Sequence, residues 1–404
     1  MGVPLVSPSS AASGGHHAEA RTVVGVEFLG EVVVPTGTLF DGTEIGGLSS
    51  ITYDRGRDVY YVVSDDQGNR PTGDPVRYYT VELDIDDVSS SRGDDRSDDA
   101  SSDDDSSDDD SSDGGTPDAG LELEFEDVTQ LFDRGKVPFA PGGVDPEGFA
   151  LARGGQLYLS SEGNSLADPI IDPFVRRYNR RGKVTAELPI PDYYFSNGVD
   201  RGVRFNLSFE SLNPTPNRRE LVTAGEGALF QDGPASTFTN GSLARVLVYD
   251  LRGREPVTEY VYEVGPWAEP STIFGVNGIV EVLPIDDAGT MLVMERSFSV
   301  GGILGGGTGN VVVINEISTA GATDVLGVDA LYDGGAPIPL TPVSQREVFA
   351  FDDLGIPIDN IEGMTFGPQL DDGRHTLVIV SDNNFNAGQF TQFIVLALDI
   401  ERDR

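Results

Sequence analysis

The sequence predicts an all-β protein assembled from repeats of one hairpin. Glycine accounts for 50 of its 404 residues, and the strand-like runs are short and evenly spaced. Few stretches have the period of an amphipathic helix, so the β pattern dominates. A chain of 404 residues is long enough for one large domain or two ordinary ones, and a repeat that extends through most of it favours one.

The clearest hairpin lies near the C-terminus, at residues 359–386. Two strand-like runs, IEGMTF and HTLVIVS, flank the turn signal LDDGR, in which Gly373 can adopt a positive φ. Glu362 and Asp382 are each ten residues from Asp372, so folding about this turn places them across the two strands. The hairpin therefore carries an acidic residue on each strand at its open end.

The same layout occurs four more times upstream. Glu147 and Glu162 flank a Gly–Gly turn, and Glu210 and Glu226 flank a Pro/Asn turn. In the other two hairpins a glycine takes the first acidic position. These hairpins pair Gly46 with Asp65 and Asp66, and Gly278 with Glu295 and Arg296. All five hairpins therefore direct their polar ends the same way.

Several motifs in these hairpins make the chain similar to a known family. They are GGLSSITYD at Gly46, DPEGFAL at Asp145, RGVRFNLSFESL around Arg204 and Glu210, LVMERSFS at Glu295, and NIEGMTF with SDNNFN near the C-terminus. On these motifs the chain resembles the phytase-like family, from about Gly46 to Ile400. The resemblance implies phosphoester chemistry, an esterase activity of phytase type on a small phosphorylated substrate.

Each hairpin is followed by further strand-like runs, so the repeating unit is four antiparallel strands. The first hairpin is followed by residues 76–85 and 120–132, and a longer, less regular region lies at 319–353. The last unit lacks its fourth strand, while a β-rich segment at 21–35, predicted as a strand pair, is left over. A β-propeller closed by this N-terminal segment explains both features and removes exposed sheet edges. The repeat predicts five blades, or six if the longest interval contains another.

The predicted propeller domain spans residues 22–404 and follows a disordered tail at 1–21. The tail has neither the basic nor the apolar region of an export signal. An Asp/Ser-rich tract at 86–118 interrupts the first blade, and its 14 Asp and 2 Arg contribute −12 to the net charge. Because it has almost no apolar residue to bury, the tract is predicted to be a disordered insertion.

The net charge of −40 disfavours several classes of partner. Lysine occurs only at 136 and 183, against 25 arginines, a composition typical of proteins in concentrated salt, where screening removes self-repulsion. Nucleic acid and anionic membranes are poor partners for such a surface. No apolar run is long enough to predict membrane insertion, and the lack of cysteine excludes disulfides and thiolate metal sites. The family resemblance favours an extracytoplasmic location.

The open ends of the hairpins predict a metal site. In a propeller the first strand of each blade lines the axis, so these ends meet at one mouth of the central channel. The predicted acidic ring consists of Asp66, Glu147, Glu162, Glu210, Glu226, Glu295, Glu362 and Asp382. Carboxylates this close raise each other's pKa or share a cation. Their oxygens suit Ca²⁺, suit Mg²⁺ less, and do not suit Zn²⁺ without His or Cys, and we expect no organic cofactor.

Phosphate chemistry also needs positive groups, because carboxylates alone repel a phosphate. The predicted catalytic residues are Glu147, Glu362, Arg204 and Arg296, and the sequence does not separate the roles of base and metal ligand for Glu147 and Glu362. The predicted substrate-binding residues are Arg70, Asn206 and Asn383. The remaining six members of the ring are the predicted metal ligands. In this hypothesis the cation and the arginine forks hold the phosphoryl group while one carboxylate activates water for attack in line.

Two classes of function are compatible with the sequence. The first is a metal-dependent phosphoesterase, and the second is a non-catalytic, ligand-binding propeller whose carboxylates hold a structural ion. A Ser–His esterase is disfavoured because no G-x-S-x-G motif is present and His375 lies near a turn at the far end of its hairpin. An open cavity with two or more arginines would favour the first class, and a closed, fully hydrogen-bonded ring the second.

Overall fold

The computed structural model describes residues 19–85, 121–271, 273–300 and 309–402. The predicted insertion at 86–118 lies wholly outside the described residues, as does nearly all of the predicted tail. Strand β1 (Arg21–Pro35) comes first and is followed by a short hairpin of β2 (Leu39–Phe40) and β3 (Thr43–Glu44). Among the described residues no helix is long or apolar enough to cross a membrane. The helical turns in these ranges are short 3₁₀ segments.

Five four-stranded antiparallel sheets follow one another along the chain, and they form the blades of the predicted propeller. The first blade contains β4 (Leu48–Asp54), β5 (Val59–Ser64), β6 (Arg77–Asp84) and β7 (Glu122–Gln130). The second contains β8 (Pro146–Ala152), β9 (Gln156–Ser161), β10 (Phe174–Tyr178) and β11 (Val184–Leu188). The third contains β12 (Asn213–Pro214), β13 (Glu220–Ala224), β14 (Ser242–Asp250) and β15 (Glu255–Val264).

The last two blades depart from simple chain order. The fourth contains β16 (Phe274–Pro284), β17 (Thr290–Val300), β18 (Asn310–Ser318) and β21 (Ser344–Ala350). The fifth contains β22 (Asn360–Gln369), β23 (His375–Asp382), β24 (Phe390–Arg402) and, from the other end of the chain, β1. Within the described ranges there is no sixth blade. The long fourth interval instead contains a small hairpin, β19 (Tyr332–Asp333) with β20 (Ala336–Pro337).

Strand β1 closes the propeller. The segment 21–35 forms one 15-residue strand, so the predicted strand pair was wrong at this point. Its pairing with β24 runs from Arg21 opposite Arg402 to Pro35 opposite Phe390, interrupted by two register shifts. A single long strand satisfies the whole outer edge of β24, which two short strands connected by a turn would not do.

Burial on both faces explains why the strands are so apolar. Each blade is packed between two others, and β5 (VYYVVS) is buried at every position. β-Branched and aromatic residues suit this pleated, fully packed environment. Five large hydrophobic clusters fill the five interfaces between neighbouring blades. The innermost strands β4, β8, β12, β16 and β22 contact one another in a closed ring, which brings the open ends of their hairpins together.

Candidate functional site

A cavity of about 1140 Å³ lies at the open ends of the inner hairpins. Its acidic lining consists of Asp65, Asp145, Glu147, Glu210, Glu226, Asp359, Glu362 and Asp382. Among the described residues that line it, Arg296 is the one cationic side chain, and Asn206 contributes an amide. The structure thus brings together seven predicted site residues at the cavity wall: Glu147, Glu210, Glu226, Glu362, Asp382, Arg296 and Asn206.

Two groups of three carboxylates are close enough to share a cation. One oxygen each from Asp145, Glu147 and Glu162 lies within 4.8 Å of the other two, and the same holds for Glu162, Glu210 and Glu226. Glu162 belongs to both groups and also accepts a hydrogen bond from the Ser208 backbone N–H. The second and third blades therefore supply two adjacent oxygen-rich sites with one shared ligand.

The electrostatics of these groups fit a cation. Glu226 is buried, yet its Oε2 atom has no hydrogen-bond partner among the described residues, and the same is true of Oδ1 of Asp65. Burial, reinforced by neighbouring carboxylates, raises the pKa of Asp145 to about 6 and that of Glu162 to about 8. Burial also raises the pKa of Glu147 well above its usual range. A bound divalent ion would relieve the unfavourable energy of these carboxylates in their charged form.

Arg296 offsets part of this negative charge. Its Nη1 donates to Glu362 and, at 2.6 Å, to Oδ1 of Asn360, while its Nη2 lies 3.7 Å from Glu226. Burial alone would lower the pKa of Arg296, but Glu362, Glu226 and Glu210 raise it above its ordinary value. The guanidinium therefore stays charged and links the acidic residues of the third and fifth blades.

The first blade contributes Asp65 to the cavity, whereas the prediction placed Asp66 there. Asp66 turns away and accepts a hydrogen bond from Arg77 at 2.9 Å, in a fully buried ion pair. Asp65 lies instead over Gly47, where a Cβ atom would come within 1.9 Å of its Oδ1. Sequence alone did not separate two adjacent aspartates, because the partner that selects one of them, Arg77, lies on a different strand.

Glu162, the shared member of the two triads, is not part of the cavity wall, and four further predicted residues do not line the cavity either. Glu295 accepts hydrogen bonds from Asn277 and the Gly265 backbone, and Arg204 donates to the carbonyls of Ala228 and Gly233. Arg70 pairs with Glu44 and stacks on the Phe385 ring, 3.4 Å from its centroid. Asn383 is buried and accepts hydrogen bonds from backbone N–H groups of Gly47 and Phe385. Local contacts thus occupy all four side chains.

Some lining residues were not predicted from the sequence. Asp145 lies two positions before Glu147, and Asn360 two before Glu362, so each is a close sequence neighbour of a predicted residue. That spacing was visible in the sequence and could have identified both. The apolar part of the wall includes Phe205, Trp267, Ile273, Phe274, Val276 and Phe298. Phe205 and Phe298 lie within the motifs RGVRFNLSFESL and LVMERSFS, but no spacing or charge marked any of the six as a lining residue.

This geometry defines the class of the protein as a five-bladed propeller with a carboxylate-lined cavity at the ends of its inner hairpins. Residues 43–385 match the family model "Phytase-like: Esterase-like activity of phytase". The match covers most of the chain, and the chain belongs to this phytase-like family. No curated protein matches it.

The solved structures that match this chain include two enzymes. An endo-arabinase from Bacteroides thetaiotaomicron is 11% identical with a TM-score of 0.40, over 92% of this chain and 98% of that one. A periplasmic gluconolactonase from Pseudomonas aeruginosa is 12% identical with a TM-score of 0.33, over 89% of each chain. The family membership rests on the sequence match alone.

Proposed function

We propose that this protein is a phosphoesterase that requires a divalent cation, with Ca²⁺ as the ion that its ligands suit best. The observation that carries the proposal is the pair of carboxylate triads sharing Glu162, next to the charged Arg296 in an open cavity. Membership of the phytase-like family supports a phosphate ester as the substrate. A bound Ca²⁺ supplies the positive charge that makes such a cavity attractive to a phosphate.

The chain's own residues have distinct roles in this proposal. The carboxylate oxygens of the two triads, from Asp145, Glu147, Glu162, Glu210 and Glu226, would hold the cation at one or the other of the two adjacent sites. Arg296 donates to a phosphoryl oxygen, because it is the one cationic side chain among the described residues that line the cavity. Glu362 lies against Arg296 at the cavity wall, outside both triads, where it can accept a proton from an attacking water.

A non-catalytic propeller with a structural ion is the second candidate. It is favoured by the presence of one lining arginine rather than two, and by the pairing of that arginine with Glu362 and Asn360. The open cavity favours catalysis. The two candidates differ in one observable, which is turnover of a phosphoester.

Glu162→Gln tests the metal site most directly, because Glu162 belongs to both triads. Loss of one charged ligand should lower calcium affinity by roughly tenfold or more, equivalent to about 1.4 kcal/mol. Calcium binding would be measured by calorimetry at high salt, and phosphate release from a panel of phosphoesters with calcium or with a chelator. Phosphoesterase activity should fall together with calcium affinity, and excess calcium should partly restore the activity.

Glu147→Gln, which changes one triad only, should weaken binding less, and the exposed Glu255→Gln should leave it unchanged. Wild-type calcium affinity and turnover in both Glu162→Gln and Glu147→Gln would refute the metal site. Calcium binding by the unmodified protein without hydrolysis of any phosphoester would instead establish the second candidate.

A further inference from the structure

The cavity has an apolar surface that the proposed reaction does not use. Ile273 and Phe274 are 74% and 53% exposed beside it, and Trp267 and Phe298 are half-buried in its wall. The indole N–H of Trp267 donates to the Ser236 carbonyl at 3.0 Å. The indole ring packs so closely on Gly275 that a Cβ there would approach it to 2.4 Å. This aromatic side chain is therefore held in place rather than free on the surface.

Strand register connects the apolar surface with the charged part of the cavity. On the β16–β17 hairpin, Gly278 is opposite Arg296, Val276 is opposite Phe298, and Phe274 is opposite Val300. Directly opposed residues, and residues two apart on a strand, share one face of a sheet. Phe298 thus follows Arg296 on the same face at a distance of about 7 Å along the strand. A ligand group bound by the guanidinium of Arg296 would therefore have the Phe298 ring beside it, one residue pair further along the hairpin.

Charge restricts how many phosphates a ligand can carry. Of the described residues that line the cavity, eight are carboxylates and one is an arginine, in a protein with a net charge of −40. A bound cation offsets only part of this, and each further phosphate adds repulsion. An apolar group adds no repulsion, and its burial against aromatic rings is favourable.

We propose that the preferred substrates are phosphoesters with one phosphate and an aromatic or similarly apolar alcohol portion. The phosphate lies at Arg296, and the alcohol portion packs against Phe298, Phe274 and Trp267, which determine specificity. This inference rests on the proposed phosphoesterase function and names its substrate class. The water oxygen forms a bond to phosphorus, the ester P–O bond breaks, and the alcohol leaves after taking up a proton, so no oxidant or reductant is required.

Phosphonates test the apolar subsite without turnover, because their C–P bond is not hydrolysed. The full-length protein with calcium at high salt would be titrated with phenylphosphonate and with methylphosphonate by calorimetry. We expect phenylphosphonate to bind roughly tenfold more tightly, as burial of one ring implies. Trp267 is the one tryptophan in the sequence, so its emission should change when phenylphosphonate binds.

Phe274→Ala should remove most of this preference while leaving methylphosphonate affinity unchanged. Phe274 is more than half exposed, so the variant should fold, and Phe298→Leu provides a second, conservative change in the wall. The matched control is Phe195→Ala, since Phe195 is 37% exposed and lies outside the cavity. Equal affinities for the two phosphonates, binding of neither, or equal weakening of both by Phe274→Ala would overturn the proposal.

Hydrolysis separates this inference from the function on which it rests. Phenyl phosphate should have a higher kcat/KM than glycerol 2-phosphate or inositol hexakisphosphate, and a preference for the hexakisphosphate would overturn the inference. If the protein distinguishes the phosphonates but hydrolyses no phosphoester, the esterase function fails and the apolar subsite stands.

Discussion

Glu281 is an acidic residue buried in β16, away from the carboxylate cavity. Its side chain is completely inaccessible, and its Oε1 accepts the Val282 backbone N–H at 2.9 Å. Burial raises the pKa of Glu281 to about 8, and the hydrogen bond offsets only part of that effect. The folded protein therefore holds a proton on Glu281 that the unfolded chain releases near pH 4.5.

This difference predicts how stability depends on pH. Between about pH 4.5 and pH 8 the folded state binds the extra proton, so the free energy of unfolding falls as the pH rises, by up to about 1.4 kcal/mol per unit. Glu281→Gln removes this titration. Urea denaturation at high salt should show the variant gaining roughly 1–3 kcal/mol relative to the unmodified protein between pH 6 and pH 9.

The comparison needs a control, because many other carboxylates titrate in the same range. The contributions of these other carboxylates are the same in Glu281→Gln and in the unmodified protein, so they cancel when the two free energies of unfolding are subtracted. Glu255→Gln, on the exposed surface, should show no relative gain between the two pH values. A pH-independent difference for Glu281→Gln would mean that Glu281 is charged in the folded state.

The position of a side chain could be predicted from the sequence only where its partners are close to it in the chain. A repeated spacing marks Glu147, Glu210, Glu226, Glu362 and Asp382, and all five lie at the cavity wall. Arginines were harder to place, since a long side chain near a strand end can turn either way. Arg296 enters the cavity, but Arg204 finds backbone carbonyls more than 20 residues further along the chain. No local pattern encodes such a contact.

At the scale of elements, the β6–β7 hairpin yields a prediction about the acidic tract between its strands. Asp84 is paired with Glu122, so the two strand ends are adjacent. A tight turn can therefore replace residues 87–119 without stretching the chain. Because long loops add little beyond closure entropy, the shortened protein should keep its Tm at high salt to within a few degrees.

Calorimetry of the shortened protein would check this expectation. An equally short replacement of residues 320–342 is the contrasting variant. That segment packs on the third blade, where the Val328 carbonyl accepts from Arg245 and the Val325 N–H donates to the Glu259 carbonyl. Replacing residues 320–342 should therefore lower the Tm strongly. A large loss of Tm in the first variant would show that the tract supports the fold.

Element-scale predictions from the sequence succeeded where the repeat was regular. In four of the five blades most strands lie close to where the repeat predicts them, because turn residues and alternating apolar runs mark them, but the inner strand of the third blade, β12, has only two residues. The fourth blade was obscured by the excursion between β18 and β21. Its last strand, Ser344–Ala350, is largely exposed and so lacks the apolar pattern that identified the others. A strand held mainly by backbone pairing leaves a weak signal in the sequence.

For the whole molecule, the closing strand determines cooperativity. Deleting residues 21–35 would expose the edge of β24 and remove Leu29 and Val34, which belong to a core cluster between blades. We expect unfolding or a fall in Tm of more than about 10 °C, because both backbone pairing and apolar burial are lost. Thermal denaturation at high salt would measure the Tm of the deletion variant and of the unmodified protein.

Two comparisons make the deletion informative. Deleting residues 1–18 instead should leave the Tm unchanged if β1 is the closing element. A synthetic peptide of residues 19–36 added to the deletion variant should restore part of the lost Tm. An unchanged Tm in the variant without β1 would be incompatible with closure by this strand.

The pairing of β1 with β24 also determines how the molecule responds to force. Arg21 lies opposite Arg402, so the two ends of the described chain meet at the same end of one ladder. Tension applied between these two positions acts along the hydrogen bonds, which run perpendicular to antiparallel strands. The bonds then break one after another, as in a zipper, rather than all together in shear. The fifth blade, whose outer strand comes from the other end of the chain, is consequently the mechanically weak point of the ring.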